Sequence, residues 1–96
     1  MKNVHNFLKG LGGTADEVAA SLLKLGAKGT RCIPYCCPIS RALQKECRVI
    51  AEVTAYHASA GKKGTWRLPK ACTTFVQRFD SGQYEELVKE WQQPCR

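Results

Sequence analysis

The apolar residues of this 96-residue chain recur at helical spacing, except in one stretch where the spacing falls to two. Val18, Leu22 and Leu25 lie on one face of a helix. The same periodicity returns after Pro69, whereas residues 48–57 alternate in the way that is typical of a half-buried strand. The chain is therefore expected to pack helices against a small sheet, because each element has to bury its apolar side against another.

Local residues predict where the first two helices begin and end. Thr14 and Glu17 form a capping box at the start of the first helix, and Gly26 follows its last apolar residue as a stop. Pro38 suits the first position of a second helix, which we expect to continue to Cys47. The segment between the two helices is predicted to be an irregular loop.

The alternating stretch and the residues that follow it predict a β-hairpin. Residues 59–64 are a turn, and residues 65–68 are a short returning strand. A third helix is expected from Pro69 to Phe79, where Asp-Ser-Gly breaks the pattern. Ser81 would then cap a last helix that ends near Pro94.

These predictions combine into one small α+β domain covering residues 1–96. The predicted order is α-α-β-β-α-α, with the helices packed on a two-stranded antiparallel hairpin. Residues 1–13 are expected to form a short N-terminal segment that could move independently.

The charge balance favours an anionic partner. The chain has 15 Lys and Arg residues against 8 Asp and Glu residues, a formal charge of +7. We therefore expect it to bind nucleic acid or an acidic protein surface. No apolar run approaches the roughly 20 residues of a membrane helix, which predicts no membrane partner. Residues 1–10 lack the apolar run of a secretory signal, which predicts a cytoplasmic protein with reduced thiols. The oligomeric state stays open.

The positive charge is concentrated in the middle of the chain. Residues 24–48 hold six cations and one acid, and residues 62–78 hold five cations and no acid. Residues 79–93 are instead acidic. We expect the cations to form one basic face, with Trp66 or Tyr35 available to stack on a base. The predicted binding residues are Arg31, Arg41, Lys45, Lys62, Lys63, Arg67 and Lys70.

Two short segments resemble those of a known group of proteins. Residues 37–43 read Cys-Pro-Ile-Ser-Arg-Ala-Leu, and residues 79–84 read Phe-Asp-Ser-Gly-Gln-Tyr. They are similar to the Cys-Pro-Ile-Ala-Arg-Tyr-Leu type of segment and the Phe-Asp-x-Gly-x-Tyr tail of small uncharacterised proteins from actinobacteria and their phages. The resemblance extends from Thr14 to Val88 and departs from the group at Ser40 and Ala42. It implies the same order of elements and a phage or mobile-element origin, with the host-cell cytoplasm as location, and it transfers no active site.

Six cysteines leave a metal site open as an alternative. Cys32, Cys36, Cys37 and Cys47 could hold zinc as thiolates, but their spacing is not that of a zinc ribbon or finger. The simpler interpretation is that Cys47 and Cys72 are small buried apolar residues. We accordingly expect no cofactor, with zinc as the alternative.

Cys37 has a second interpretation, as a reactive thiol. It precedes a helix start and lies one turn before Arg41, and both features lower the pKa of a thiol. His57 is the strand-borne candidate for a base, although nothing in the sequence places it beside Cys37. Because no other catalytic motif is present, the chain is interpreted as a non-enzyme.

The sequence therefore leaves three hypotheses. The first is a small non-catalytic binding protein that uses its basic face on nucleic acid or on a nucleic-acid-handling protein. The second is a protein–protein inhibitor or host-modulating, anti-defence factor. The third is a thiol or zinc module.

Overall fold

The computed structural model describes residues 3–30 and 35–88 of the chain. Within these residues the chain forms four α-helices and three β-strands. No helix in this part is long and apolar enough to cross a membrane. The elements are α1 (Val4–Gly10), α2 (Ala15–Leu25), α3 (Pro38–Cys47), β1 (Glu52–Val53), β2 (His57–Ser59), β3 (Thr65–Arg67) and α4 (Lys70–Asp80), with 3₁₀ turns at Gly61–Lys63 and Glu85–Leu87.

The capping residues fix the ends of α2 as predicted. The Thr14 Oγ1 accepts a hydrogen bond from the Glu17 amide at 3.2 Å. The Glu17 carboxylate reaches back one residue further than a capping box requires and accepts from the Gly13 amide at 2.8 Å. Gly26 ends the helix in the left-handed conformation with a φ of 71°.

The second predicted helix is confirmed as α3, with an unusual residue at each end. Pro38 occupies the first turn, and the Cys37 Sγ accepts from the Ser40 amide at 3.4 Å in the position of an N-cap. Arg48 ends the helix in the left-handed region, with a φ of 58°. A non-glycine residue in this region is uncommon and costs free energy unless its surroundings hold it there.

The α+β class is confirmed, but the two-stranded hairpin is wrong. The stretch predicted as one strand is split into β1 and β2, and the sheet has three antiparallel strands in the order β1-β2-β3. The split occurs at Thr54, whose hydroxyl accepts from the amides of Tyr56 and His57. After this turn Ala58 takes the buried position, and His57 is exposed.

The last predicted helix is also wrong over the residues described. Ser81 belongs to the end of α4, where its hydroxyl donates to the Gln77 carbonyl at 2.8 Å. Residues Glu85–Leu87 form a 3₁₀ turn, and Val88 is extended and pairs with Gly29 as an isolated bridge. The rest of that prediction, including Trp91, lies outside the described residues.

The core lies between α2 and α4, and the other elements pack around it. The rings of Phe75 and Phe79 are stacked with centroids 5.7 Å apart, and Tyr84 stacks on Phe75 at 5.2 Å. Leu8 of α1 is also fully buried, and its carbonyl lies 3.7 Å from the Cys72 thiol.

Ser40 is the one buried polar residue in the described part of the chain. Its hydroxyl lies 2.6 Å from the Ala51 carbonyl oxygen and 3.1 Å from that of Tyr35. A buried carbonyl without such a donor would destabilise the fold, so Ser40 ties α3 to the segment before β1.

The backbone at Gly29 is packed against the start of α3. The Gly29 amide donates to the Leu87 carbonyl at 2.8 Å. A Cβ atom built on Gly29 would collide with the backbone of Cys36, Cys37 and Pro38. This position therefore requires glycine for its lack of a side chain, because only then can the two backbone segments approach so closely.

We predict that Gly29→Ala lowers the free energy of unfolding by about 1–3 kcal/mol, because the backbone of α3 would have to shift. Gly10→Ala is the matched control, since its Cβ would meet nothing within 4 Å. That change should leave stability unchanged or raise it by up to about 1 kcal/mol. Urea denaturation under reducing conditions measures both, and equal stabilities would contradict the close approach.

Candidate functional site

Two adjoining surface depressions bring five cations together. One, of about 430 Å³, is lined by Gly26, Ala27, Lys28, Arg41, Gln44 and Lys45. The other, of about 580 Å³, is lined by Lys45, Glu46, Arg48 and Lys63. Because Lys45 lines both, the two depressions adjoin at this residue and together make up one region of the surface. We call it the basic surface and define it by Lys28, Arg41, Lys45, Arg48 and Lys63.

Helix ends and one turn position these side chains. Arg41 and Lys45 are one turn apart on the outer face of α3, and Arg48 is the residue that ends this helix. Lys28 follows the end of α2, and Lys63 comes from the 3₁₀ turn that precedes β3. The surface therefore combines residues 35 positions apart in the sequence.

Lys45 is held in place by the end of α2. Its Nζ donates to the Leu25 carbonyl at 2.9 Å. The last carbonyls of a helix lack partners within the helix and carry partial negative charge, so they attract a cation. An ammonium group has three N–H donors, so this contact leaves two of them for a ligand.

Arg41 is half-buried and retains unused hydrogen-bonding capacity. Its Nε is buried and has no hydrogen-bond partner within residues 3–30 and 35–88. An unpaired buried N–H is unfavourable by about 1–3 kcal/mol, and only a movement of the Arg41 side chain would expose this donor to an incoming acceptor.

The acidic residues of α2 lie at the other end of that helix. Asp16 is in its first turn and accepts a hydrogen bond from the Tyr84 hydroxyl at 2.7 Å. Arg78 lies 3.9 Å from the same carboxylate oxygen. Eleven residues of helix measure about 16 Å, so this carboxylate is separated from Lys28 by more than a Debye length at physiological salt. Glu46 is the acid that lines the basic surface itself.

The structure brings together some of the predicted binding residues and separates others. Arg41, Lys45 and Lys63 share the basic surface. Lys62 is exposed in the same turn as Lys63, and Arg67 is exposed on β3 across from His57. Lys70 instead lines a third depression with Asp16 and Arg78. Arg31 lies outside the described residues.

Lys28 and Arg48 were counted in the basic middle of the chain but not chosen as binding residues. Each follows the end of a helix, Lys28 after the Gly26 stop and Arg48 directly after Cys47. The sequence therefore offered one signal that could have identified them as binding residues, namely a cation directly after a predicted helix end.

The exposure of the aromatic side chains differs in part from the prediction that Trp66 or Tyr35 is available to stack on a base. Trp66 is half-buried and packs against the core, so its indole is only partly available for stacking. Tyr35 is 52% exposed and Tyr56 is 57% exposed. Tyr56, which the sequence analysis did not single out, follows Thr54 in the turn between β1 and β2.

The cysteines of the described region are mostly in the core. Cys47 and Cys72 are buried, as predicted, and Cys36 is half-buried. In the part of the chain that the structure describes, no three His, Cys, Asp or Glu side chains converge as metal ligands. Cys32, the remaining zinc candidate, lies outside that part, so the zinc alternative stays a prediction.

The interpretation of Cys37 as a reactive thiol is wrong, because it assumes that the pKa of this thiol is lowered. Burial raises the pKa of the Cys37 thiol to about 12, and this effect outweighs the hydrogen bonds from the amides of Ser40 and Ile39, which lower it. A thiol with this pKa is protonated at neutral pH and is a poor nucleophile. His57 is exposed on β2, and no hydrogen bond joins it to Cys37 in the described structure.

An apolar groove of about 710 Å³ lies elsewhere, between α1 and α2. Phe7, Leu11 and Leu25 contribute its apolar lining, and Lys24 lies beside them. None of the side chains that line it is a carboxylate, a thiol or an imidazole, so it offers apolar contact rather than acid–base chemistry.

Comparison with known proteins assigns neither a family nor a function to this chain. No protein-family model matches the chain, and neither a curated protein nor a solved structure is significantly similar to it. The resemblance to actinobacterial and phage proteins therefore stays a prediction.

Cys37 gives a pH-dependent prediction. Its folded pKa of about 12 lies above the ordinary value of 9.0, so the unfolded chain loses this proton first as the pH rises. This thiol therefore leaves stability unchanged below pH 9 and lowers it from pH 9 towards pH 12 by about 1.4 kcal/mol per pH unit. Burial also raises the pKa of the Cys72 thiol to about 12, which adds a slope of the same sign.

Chemical denaturation between pH 8 and pH 10.5 measures this slope. Cys37→Ser should flatten it by that amount, whereas Cys36→Ser, which changes the half-buried neighbour, is the control. Identical slopes for Cys37→Ser and the wild-type protein would contradict the burial of a neutral thiol.

Proposed function

We propose that this protein is a non-catalytic nucleic-acid-binding protein that contacts the phosphate backbone through its basic surface. The observation that carries the proposal is the convergence of five cations and one carboxylate on two depressions that share Lys45. Phosphate contacts supply most of the affinity of such an interface, and clustered Lys and Arg side chains are its electrostatic footprint.

The positions of two side chains of this surface favour the binding of an anion. The Lys45 ammonium group is fixed by the Leu25 carbonyl, which lowers the conformational entropy lost when it binds a phosphate oxygen. Arg41 is half-buried rather than covered, and a guanidinium group can contact phosphate through two N–H donors at once. Both side chains lie on the same face of α3, so they can reach neighbouring phosphates of one strand.

Apart from its lysines and arginines, the surface has few groups that read base sequence, and Gln44 is the one side-chain amide among the residues that line the two depressions. Contacts to phosphate carry no sequence information directly. Because we assign the lysines and arginines to phosphate, we propose binding with little sequence preference. If all five cations neutralise a phosphate of duplex DNA, the logarithm of affinity falls with the logarithm of salt concentration with a slope of about −4.5.

We predict that the double variant Arg41→Glu/Lys45→Glu weakens binding to a labelled 20-base-pair DNA duplex by at least about tenfold at 50 mM salt. The salt slope should fall by about 2, since each lost phosphate contact removes about 0.9. Fluorescence anisotropy across a salt series measures both, with single-stranded DNA and RNA of the same length as parallel probes.

Lys9→Glu/Lys70→Glu is the matched control, because it changes the net charge equally at two exposed positions outside the basic surface. It should retain affinity within about threefold. Circular dichroism confirms that each variant is folded. The proposal fails if the wild-type protein binds none of the probes at 50 mM salt, or if the control loses as much affinity. It also fails if polyglutamate competes as well as DNA at equal charge.

A further inference from the structure

The outer edge of β3 carries backbone groups that have no partner in the described structure. The Ala60 amide donates to the Gly64 carbonyl at 2.9 Å, and the Leu68 amide donates to the Tyr56 carbonyl at 2.8 Å. In an antiparallel pair, residues point towards the neighbouring strand and away from it in alternation. Thr65 and Arg67, which alternate with these bonded positions, therefore direct their N–H and C=O groups away from β2.

Among residues 3–30 and 35–88, the sheet ends at this strand. Its order is β1-β2-β3, and Thr65 and Arg67 form no hydrogen bond of their backbone to any other described residue. An open strand edge of this kind is a template on which an extended segment of another chain can pair.

The two sides of β3 differ in chemistry. The side chains of Thr65 and Arg67 are exposed on the outer face of the sheet, opposite Ser59 and His57 respectively. Trp66 lies on the inner face, where it is half-buried against the core. An added strand would therefore meet a cation on one face and an aromatic ring on the other, in strict alternation.

The positive charge around the β3 edge favours an acidic partner. Lys62 and Lys63 precede β3, Arg67 lies in it and Lys70 follows it, and the sequence has no acidic residue between Val53 and Asp80. A second copy of this chain would bring like charges together, which is unfavourable. An acidic segment would instead meet the opposite charge of Arg67 in β3 and of the exposed lysines that precede the strand.

We propose that the β3 edge binds an extended acidic segment of a partner protein as a fourth, antiparallel strand. An acidic side chain of this segment pairs with Arg67, and an apolar side chain at the next position contacts Trp66. The interaction differs from the proposed contact of the basic surface with nucleic acid, because the backbone of β3 supplies its hydrogen bonds, although Lys63 lies next to both sites.

A peptide of alternating glutamate and valine, seven residues long and capped at both ends, is the direct probe. In an antiparallel pairing the glutamates lie opposite Thr65 and Arg67, so their amides face β3 and the valine amides face away. N-methylation of the glutamate amides should weaken binding at least about tenfold, whereas methylation of the valine amides should change it less than about threefold. Equal effects of the two modifications, or no binding of the unmodified peptide at 1 mM, would overturn the proposal.

Amide hydrogen exchange of the protein tests the same geometry. The amides of Thr65 and Arg67 should exchange more slowly when the unmodified peptide is bound, while that of Trp66, already paired with β2, should change little. Unchanged exchange at Thr65 and Arg67 would show that the peptide binds by charge alone and would overturn strand addition.

Variants separate this site from the basic surface. Arg67→Glu should weaken peptide binding, whereas Arg41→Glu/Lys45→Glu should preserve it while losing nucleic acid. If the Arg41 and Lys45 substitutions abolish peptide binding and Arg67→Glu does not, the acidic peptide binds the basic surface, and the β3-edge proposal is wrong.

Discussion

The close approach of two backbone segments at Gly29 fixes the end of α2 against the start of α3. A side chain at this position would collide with the start of α3, and the Gly29 amide also binds the carbonyl of Leu87. The neighbouring Thr30 amide donates to the Cys36 carbonyl at 2.6 Å. Through these contacts the segment after α2 joins both the N-terminus of α3 and the segment after α4, so the helices that carry the basic surface have a fixed relative position.

The basic surface follows from that arrangement. Once the end of α2 lies against α3, the Leu25 carbonyl faces Lys45 and accepts a hydrogen bond from its ammonium group. The same arrangement brings Lys28 beside Arg41. The acids of α2 are used at its other end, where Asp16 binds Tyr84 and the helix dipole favours negative charge. At α2, stability and charge separation therefore have the same origin, since each end of this helix attracts the charge that stabilises it.

Features that depend on a few neighbouring residues could be predicted from the sequence. Thr14, Gly26 and Pro38 fix the helix ends through contacts within about four residues, and the helical period placed Cys47 and Cys72 in the core. These inferences rest on local hydrogen bonds and on spacing, which the sequence displays directly.

Features that depend on contacts between residues distant in the sequence could not be predicted in this way. The predicted last helix gives way to a turn in which Tyr84 has a φ of 59°, stacks on Phe75 and binds Asp16, and each partner is remote in sequence. The raised pKa of Cys37 comes from burial, which reverses what its position before a helix suggests. The split of the predicted strand lies between these two cases. The sequence shows that Thr54 is polar, but the position of its turn depends on which alanine is buried in the core.

The candidate surface was predictable only in outline. Residue counts identified the basic middle of the chain and included Arg41, Lys45 and Lys63, which the structure places on the basic surface, among the candidates. They could not show that Lys70 lies beside Asp16, since that depends on how α4 packs against α2. Tertiary packing decides which cations share a surface, and the sequence alone does not contain that information.

The most direct measurement of the central claim is chemical-shift mapping of the isotope-labelled protein during titration with a short DNA duplex at low salt. The account predicts that the largest changes cluster at Lys28, Arg41, Lys45, Arg48 and Lys63 and saturate together. Changes distributed evenly over the exposed lysines and arginines, or centred on the Asp16 end of α2, would contradict it.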